Sequence, residues 1–215
     1  MPKPTPFEVE QLLQRDKLLR EPLSLYGPFP GFPSSKSEKE TDFQSLAKAI
    51  VSQQLSSAAA NTIYLNLHSA VKVLAPKHIN DLPVSALRAA GVSSSKAHTL
   101  KELSLRIVQD KINLLSLQNK PDLDVISELV AIKGIGPWTA QMFLLFKLGR
   151  LDVLPVNDLG VQEGLRILDR MSSRPAAAEV ALRGALWSPL KSVGTWLMWQ
   201  IANANKNKTK EPVRH

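Results

Sequence analysis

Nowhere in this chain do apolar and polar residues alternate with period two over the length of a strand, whereas apolar positions recur at helical intervals from end to end. The pattern predicts an all-α fold of about ten short helices, with no β-sheet and no internal repeat. Phe43, Leu46, Ala47, Ile50 and Val51 show the spacing clearly, and Thr41 with Gln44 has the spacing of a capping box at the start of this run. An earlier amphipathic helix is expected on Phe7, Leu12, Leu13, Leu18 and Leu19. Pro22, Pro28, Pro30 and Pro33, with Gly27 and Gly31 among them, then predict an irregular connection from Pro22 to Lys39. Further helices are expected from Ala58 to Val73, from Pro83 to about Ala90 with Gly91 as a left-handed cap, and through Leu100, Leu103 and Ile107. Another should start at Asp122 or Asp124 and end near Ile132, with later starts at Pro137, Asp158, Pro175 and Pro189. Lys206 to His215 reads as a basic frayed tail able to touch phosphates.

Charge narrows the partner. With 27 Lys and Arg against 19 Asp and Glu the net charge is +8, which favours a polyanion, either nucleic acid or an anionic membrane surface. A membrane-surface role needs a basic amphipathic helix, and much of the excess charge here is dispersed or lies in the tail. The absence of cysteine excludes disulfides, zinc-thiolate sites, iron-sulfur clusters and thiol nucleophiles, so any chemistry uses oxygen or nitrogen groups. His68, His78, His98 and His215 have neither paired metal spacing nor a triad partner. The start at Met1 lacks the apolar core of a secretory signal and no stretch reaches the ~18 apolar residues of a membrane span, so an intracellular protein is expected, in a bacterial cytoplasm or nucleoid or a eukaryotic nucleus.

The most informative local sequence is Leu129-Val-Ala-Ile-Lys-Gly-Ile-Gly-Pro-Trp-Thr-Ala140, flanked by apolar helical residues. Gly134 and Gly136 permit backbone angles closed to other residues and let something bulky approach the main chain. A glycine turn feeding a helix that starts at Pro137 aims N–H groups outward with the positive end of the helix dipole behind them, which suits a phosphate, and Lys133 adds a cation. Taken alone, a Gly-x-Gly is more readily a tight turn between packed helices. It is not a P-loop, because no Gly-Lys-Ser/Thr follows.

Asp158 follows Trp138 by twenty positions, within Gly149-Arg-Leu-Asp-Val-Leu-Pro-Val-Asn-Asp-Leu-Gly160, and opens a helical run through Val161, Leu165, Ile167 and Leu168. By position it is a helix N-cap, a role for which Asn157 competes, and capping leaves room for a second role.

Four blocks in order, Ala49-Ile-Val-Ser-Gln-Gln-Leu-Ser56, the glycine hairpin, the Asp158 segment and Trp196-Leu-Met-Trp199, resemble the alkylpurine branch of the helix-hairpin-helix DNA glycosylases, the 3-methyladenine glycosylases, over about residues 42 to 205. The resemblance implies a bilobal helical fold: a core over 41–205, residues 1–40 packing on the C-terminal lobe, and the tail 206–215. It implies that a monomer binds double-stranded DNA containing damaged bases and that Asp158 is the catalytic carboxylate. Relatives with lyase activity carry a nucleophilic lysine where this chain has Trp138, so no Schiff-base route is expected. Leu55 becomes an apolar wedge and Gln54 the side chain that fills the space of the missing base, where residues alone would leave Leu55 in the core. Trp138 and Trp199 resemble aromatic walls of the base pocket, with Met142 one turn beyond Trp138 either completing it or lying in the core, while Trp187 and Trp196 are expected in the core. Lys133, Gly134, Ile135, Gly136 and Thr139 form the implied phosphate-binding hairpin. The main-chain carbonyls of Val130, Ile132 and Ile135 are implied to hold a structural Na or K ion, with no cofactor for the chemistry. The departure from the family pattern is Asn157, where many relatives carry glycine or another acid before the aspartate. Two rival readings remain open at this point: a non-catalytic DNA-binding module in which Asp158 only caps its helix, and a glycosylase for oxidised or deaminated bases.

Overall fold

The computed structural model describes residues 3–32, 39–71 and 73–208, and among these every regular element is helical. The chain divides into two compact units. Unit 1 comprises residues 1–32 and 149–215, and unit 2 comprises residues 33–148.

In unit 1, α1 (Pro6–Arg15) begins with a capping box between Thr5 and Glu8 and stops at Asp16, where a 3-10 turn (Lys17–Leu19) leads into α2 (Arg20–Tyr26). The expected single helix through Leu19 is therefore broken, and the expected irregular connection starts later than Pro22. Pro22 is the third residue of α2, where its missing N–H would have found no partner within the helix. Residues 33–38 of that connection lie outside the described residues.

In unit 2, α3 (Asp42–Ser52) carries the expected Thr41–Gln44 capping box, and α4 (Ser57–Ala70) is capped by Ser56. α5 (Pro76–Asp81) was not expected from the apolar spacing. It is only six residues long, too short for a period to register. α6 (Val84–Ala89), α7 (Ser94–Val108), α8 (Asp122–Val130) and α9 (Pro137–Phe146) follow. Leu46, Ile50, Leu67, Leu100, Leu103, Phe143 and Leu144 are fully buried in this unit and form its centre.

The return to unit 1 adds α10 (Leu159–Leu168), α11 (Ala177–Gly184) and α12 (Lys191–Lys208). α12 runs three residues into the expected tail, and residues 209–215 lie outside the described residues. No helix among the described residues is long and apolar enough to cross a membrane.

α10 lies against α12 at a separation only glycine permits. A Cβ on Gly164 would stand 2.2 Å from the Met198 carbonyl oxygen, and one on Gly160 would stand 2.8 Å from Cδ1 of Trp199. The two glycines are four residues apart and share one helix face, so the backbone of α12 fits along that face.

Asp16 ties the N-terminal helices to the rest of unit 1. Its side chain is 4% exposed and accepts hydrogen bonds from Arg183 Nη1 at 2.6 Å, from Trp187 Nε1 at 2.7 Å and from the Leu18 N–H at 3.2 Å. Burial pushes its carboxyl up, but donation from Arg183 and Trp187, the guanidinium charge and the Leu18 N–H together outweigh burial and hold it below the usual carboxylate range. Hydrogen bonds from Arg166 and then Arg174 likewise hold Glu163 down to about 2. A carboxyl depressed by folding contributes stability that is complete above the unfolded value of about 4 and is lost as pH falls through the folded value. Asp16→Asn is therefore expected to cost about 3 kcal/mol near neutral pH, because it breaks a buried pair and leaves Arg183 with one partner fewer. Urea melts should show the gap to wild type narrowing as pH falls below the unfolded carboxylate value of about 4. A gap that stays constant down to the lowest pH contradicts an ionised Asp16.

Candidate functional site

The glycine hairpin belongs to unit 2. α8 ends at Val130, the Ile135 N–H donates to the Ile132 carbonyl at 3.0 Å, and Gly136 precedes α9. Gly134 has φ of +92°, and a Cβ on it would lie 1.9 Å from Oγ1 of Thr99 on α7. Glycine is thus required there by both backbone angle and space. Gly136 differs: a Cβ would meet nothing within 4 Å, so the main chain at the start of α9 is open to a ligand rather than packed. No side chain caps α9, whose first intrahelical bond runs from the Ala140 N–H to the Gly136 carbonyl at 3.2 Å, and the N–H groups ahead of it sit at the positive end of the helix dipole. Lys133 is exposed beside them.

The other residues expected in this region divide by burial. Ile132 and Ile135 are buried and anchor the turn, while Val130 is 38% exposed. Trp138 is half-buried immediately behind the hairpin. Thr139 is 1% exposed, and its hydroxyl accepts a hydrogen bond from Gln53 Nε2 at 2.9 Å. Met142 lies within the buried run of α9. Among the described residues, no group of three or more His, Asp or Glu side chains is placed to hold a metal.

The turn after α3 carries Gln54 and Leu55. Gln54 has φ of +56°, a left-handed conformation that costs a non-glycine residue about 1–3 kcal/mol and persists only where its surroundings impose it. It is exposed, and Leu55 is 40% exposed rather than in the core. The surroundings are identifiable. Lys96 on α7 donates to the Val51 carbonyl at 2.8 Å and the Gln53 carbonyl at 2.6 Å, closing the C-terminal end of α3 as a favourable cation at a helix C-terminus. Burial lowers the ammonium below the ordinary lysine range. Gln53, which the sequence did not single out, donates from Nε2 to the Gly134 carbonyl at 3.0 Å as well as to Thr139. A second glutamine beside Gln54 gave no spacing signal; only the fold joins it to acceptors more than eighty residues away.

In unit 1, Asp158 is the N-cap of α10, with Oδ1 accepting from the Val161 N–H at 2.9 Å, so the competition with Asn157 is decided for Asp158. The same oxygen accepts from Nε1 of Trp199 on α12 at 2.8 Å. These two donors fix the carboxylate in one orientation, half-buried, above a helix N-terminus. Trp199, expected as an aromatic wall, is thereby also a hydrogen-bond donor. Its ring stands edge-on to Phe32, with centroids 6.3 Å apart, and Gly160 clears the space for it. Trp187 is fully buried and Trp196 is 7% exposed against Phe29, both in the core as expected.

Residues 47–189 match the family described as HhH-GPD superfamily base excision DNA repair protein. DNA-3-methyladenine glycosylase 1 of Schizosaccharomyces pombe is 31% identical over 191 residues, which span 85% of this chain and 82% of that protein. Among solved structures, the 3-methyladenine DNA glycosylase of the same yeast in complex with abasic DNA superposes with a TM-score of 0.84 at 30% identity, over 91% of this chain and 96% of that one. A DNA-3-methyladenine glycosidase from Bacillus halodurans superposes with a TM-score of 0.76 at 32% identity, over 95% and 92% of the two chains.

Proposed function

The chain belongs to the HhH-GPD superfamily of base excision DNA repair proteins, and from that membership we propose that it excises alkylated purines such as 3-methyladenine from double-stranded DNA as a monomeric, monofunctional glycosylase. The observation that carries the reading is the Asp158 carboxylate, pinned by the Val161 N–H and the Trp199 indole before any substrate arrives.

Cleavage of the C1′–N bond sends its electron pair to the departing base and leaves positive charge on the sugar. A fixed carboxylate stabilises that charge more in the transition state than in the ground state, and it needs no reorganisation as the charge develops. Water adds to C1′, and its proton passes to Asp158 or to solvent. An alkylated purine is already cationic and leaves neutral, so no strong general acid is demanded, and cationic bases should be preferred. Trp138 and Trp199 are each proposed as a face on which such a base could stack, an attraction worth about 0.5–2 kcal/mol per ring. No amine is proposed as a nucleophile, so strand cleavage is not expected.

The base must first leave the stack, at a cost of a few kcal/mol that other contacts offset. Leu55 and Gln54 are the proposed wedge and filler, supported by their exposure at a turn held in a left-handed conformation. The uncapped N-terminus of α9, with Lys133 beside it, is the proposed phosphate grip. The carbonyls of Val130, Ile132 and Ile135 are the proposed ligands of a monovalent ion, being neutral oxygens with no carboxylate in the set; the Ile132 carbonyl already accepts from the Ile135 N–H and would offer the ion its second lone pair. Such an ion would join a phosphate to these oxygens; the bond-breaking step does not pass through it.

The reading is tested by incubating the protein with methylated, deaminated and oxidised duplexes and measuring released base. Methylated purine should be released fastest, and release of none of the three would leave the binding-module reading that the capping role of Asp158 also allows. Affinity for duplex should fall at least tenfold between about 50 and 200 mM salt, because phosphate contacts displace counterions. Salt-insensitive binding would remove the phosphate grip from the account.

A further inference from the structure

We propose that Gln53 is a positioning residue that ties the exposed Gln54–Leu55 turn to the glycine hairpin, so that phosphate engagement by the hairpin sets the angle at which Leu55 enters the duplex. The proposal rests on the glycosylase reading and deepens it.

A glutamine amide has two N–H donors, and Nε2 of Gln53 donates to two acceptors on the hairpin side, the Gly134 carbonyl at 3.0 Å and the Thr139 hydroxyl at 2.9 Å. Thr139 is 1% exposed, so one of these bonds is shielded from water and the amide cannot exchange it for solvent at no cost. The reversed amide would set its carbonyl oxygen against the Gly134 carbonyl, which singles out one orientation of the side chain.

The main chain of Gln53 is held as well. Its carbonyl accepts from Lys96, three residues before Thr99, whose side chain fills the space that a Gly134 Cβ would need. Lys96 and Thr99 share one face of α7, and through them that helix braces the turn on one side and the hairpin on the other. The next residue is Gln54 in its left-handed conformation, followed by the half-exposed Leu55. The turn that carries the wedge thus has little freedom relative to the hairpin, although the two are separated by some eighty residues of sequence. A rigid wedge spares the complex the entropy of ordering an exposed turn on binding.

Three readouts test this. The first is the rise in 2-aminopurine fluorescence beside a tetrahydrofuran abasic analogue when the wedge enters the duplex. The second is Kd for an undamaged duplex, and the third is the single-turnover rate of base release from a methylated duplex. Gln53→Met, which keeps length and loses both donors, should lower the first and third about tenfold, the scale of one shielded hydrogen bond, and shift the second by less than about twofold. Because Gln53 acts through Leu55, adding Gln53→Met to Leu55→Ala should cost much less than the two separate losses combined. If Gln53→Met fails to fold, the Thr139 pair decides: Thr139→Val should lose fluorescence and rate, and Thr139→Ser should recover most of that loss by restoring the acceptor. Unchanged fluorescence and rate, an equal loss of undamaged-duplex binding, or full additivity with Leu55→Ala each overturns the tether. A wild-type protein that releases no methylated purine instead overturns the glycosylase reading, and the fluorescence arm still measures whether Gln53 governs the wedge.

Discussion

Asp158→Asn is expected to slow release of methylated purine by at least about 10²–10³-fold, while affinity for a duplex with an abasic analogue stays within about threefold of wild type. The substitution is informative because it separates two roles of one side chain. Asparagine caps a helix about as well as aspartate, and its oxygen can still accept from the Val161 N–H and the Trp199 indole at the positions the carboxylate uses now. The fold should therefore lose less than about 1 kcal/mol. What disappears is the negative charge, the one property that responds to positive charge developing on the sugar. If Asp158 only caps α10, the variant should bind and turn over as wild type does. Asp158→Ala completes the comparison, since it removes cap and charge together and should lower both Tm and rate. Single-turnover base release and thermal melts on the two variants decide between the readings, and equal turnover by Asp158→Asn ends the catalytic assignment.

Much of this arrangement could be read in the sequence where the signal was local. Thr41 with Gln44, Gly91, Pro137 and Asp158 each announced a helix boundary through residue type at a fixed offset, and each boundary lies within a residue or two of its expected place. The hairpin was legible for the same reason, since Gly134 has a positive φ that few other residues tolerate. The local rules failed where a residue's permitted position was broader than its usual one. Pro22 marks a break by composition, yet it is tolerated in the first turn of α2. What no local rule supplied were the partners. Trp199 reaches Asp158 across forty-one positions, and Gln53 reaches Gly134 across eighty-one, and neither pair shares a spacing that periodicity could reveal. Thr139 adds to this, for the resemblance gave it a place in the hairpin without its hydroxyl's bond to Gln53. The Gly160–Gly164 interval was visible in the chain, but its meaning depends on which helix lies against it.

That interval gives the sharpest stability prediction. Replacing glycine by alanine inside a helix ordinarily stabilises it by about 1 kcal/mol, since alanine loses less backbone freedom on folding. At Gly164 packing opposes this gain, because the added Cβ would stand 2.2 Å from the Met198 carbonyl oxygen and 2.6 Å from its Cα, all backbone of α12. No rotamer change relieves a clash with main chain, so α10 and α12 must separate by about an ångström, and overpacking of this kind costs about 1–3 kcal/mol and occasionally more. The upper end applies where the obstacle is a helix backbone, so Gly164→Ala should be destabilised by about 2 kcal/mol net and melt about 4–8 °C below wild type. The displacement also reaches the site, because α10 begins at Asp158 and α12 carries Trp199, and their 2.8 Å hydrogen bond spans the same interface. Base release should therefore fall even at temperatures where the variant is fully folded. A variant that melts at or above wild type, as helix propensity alone requires, would show that α12 yields at Met198 and that the close approach of these helices is not what holds the indole against the carboxylate.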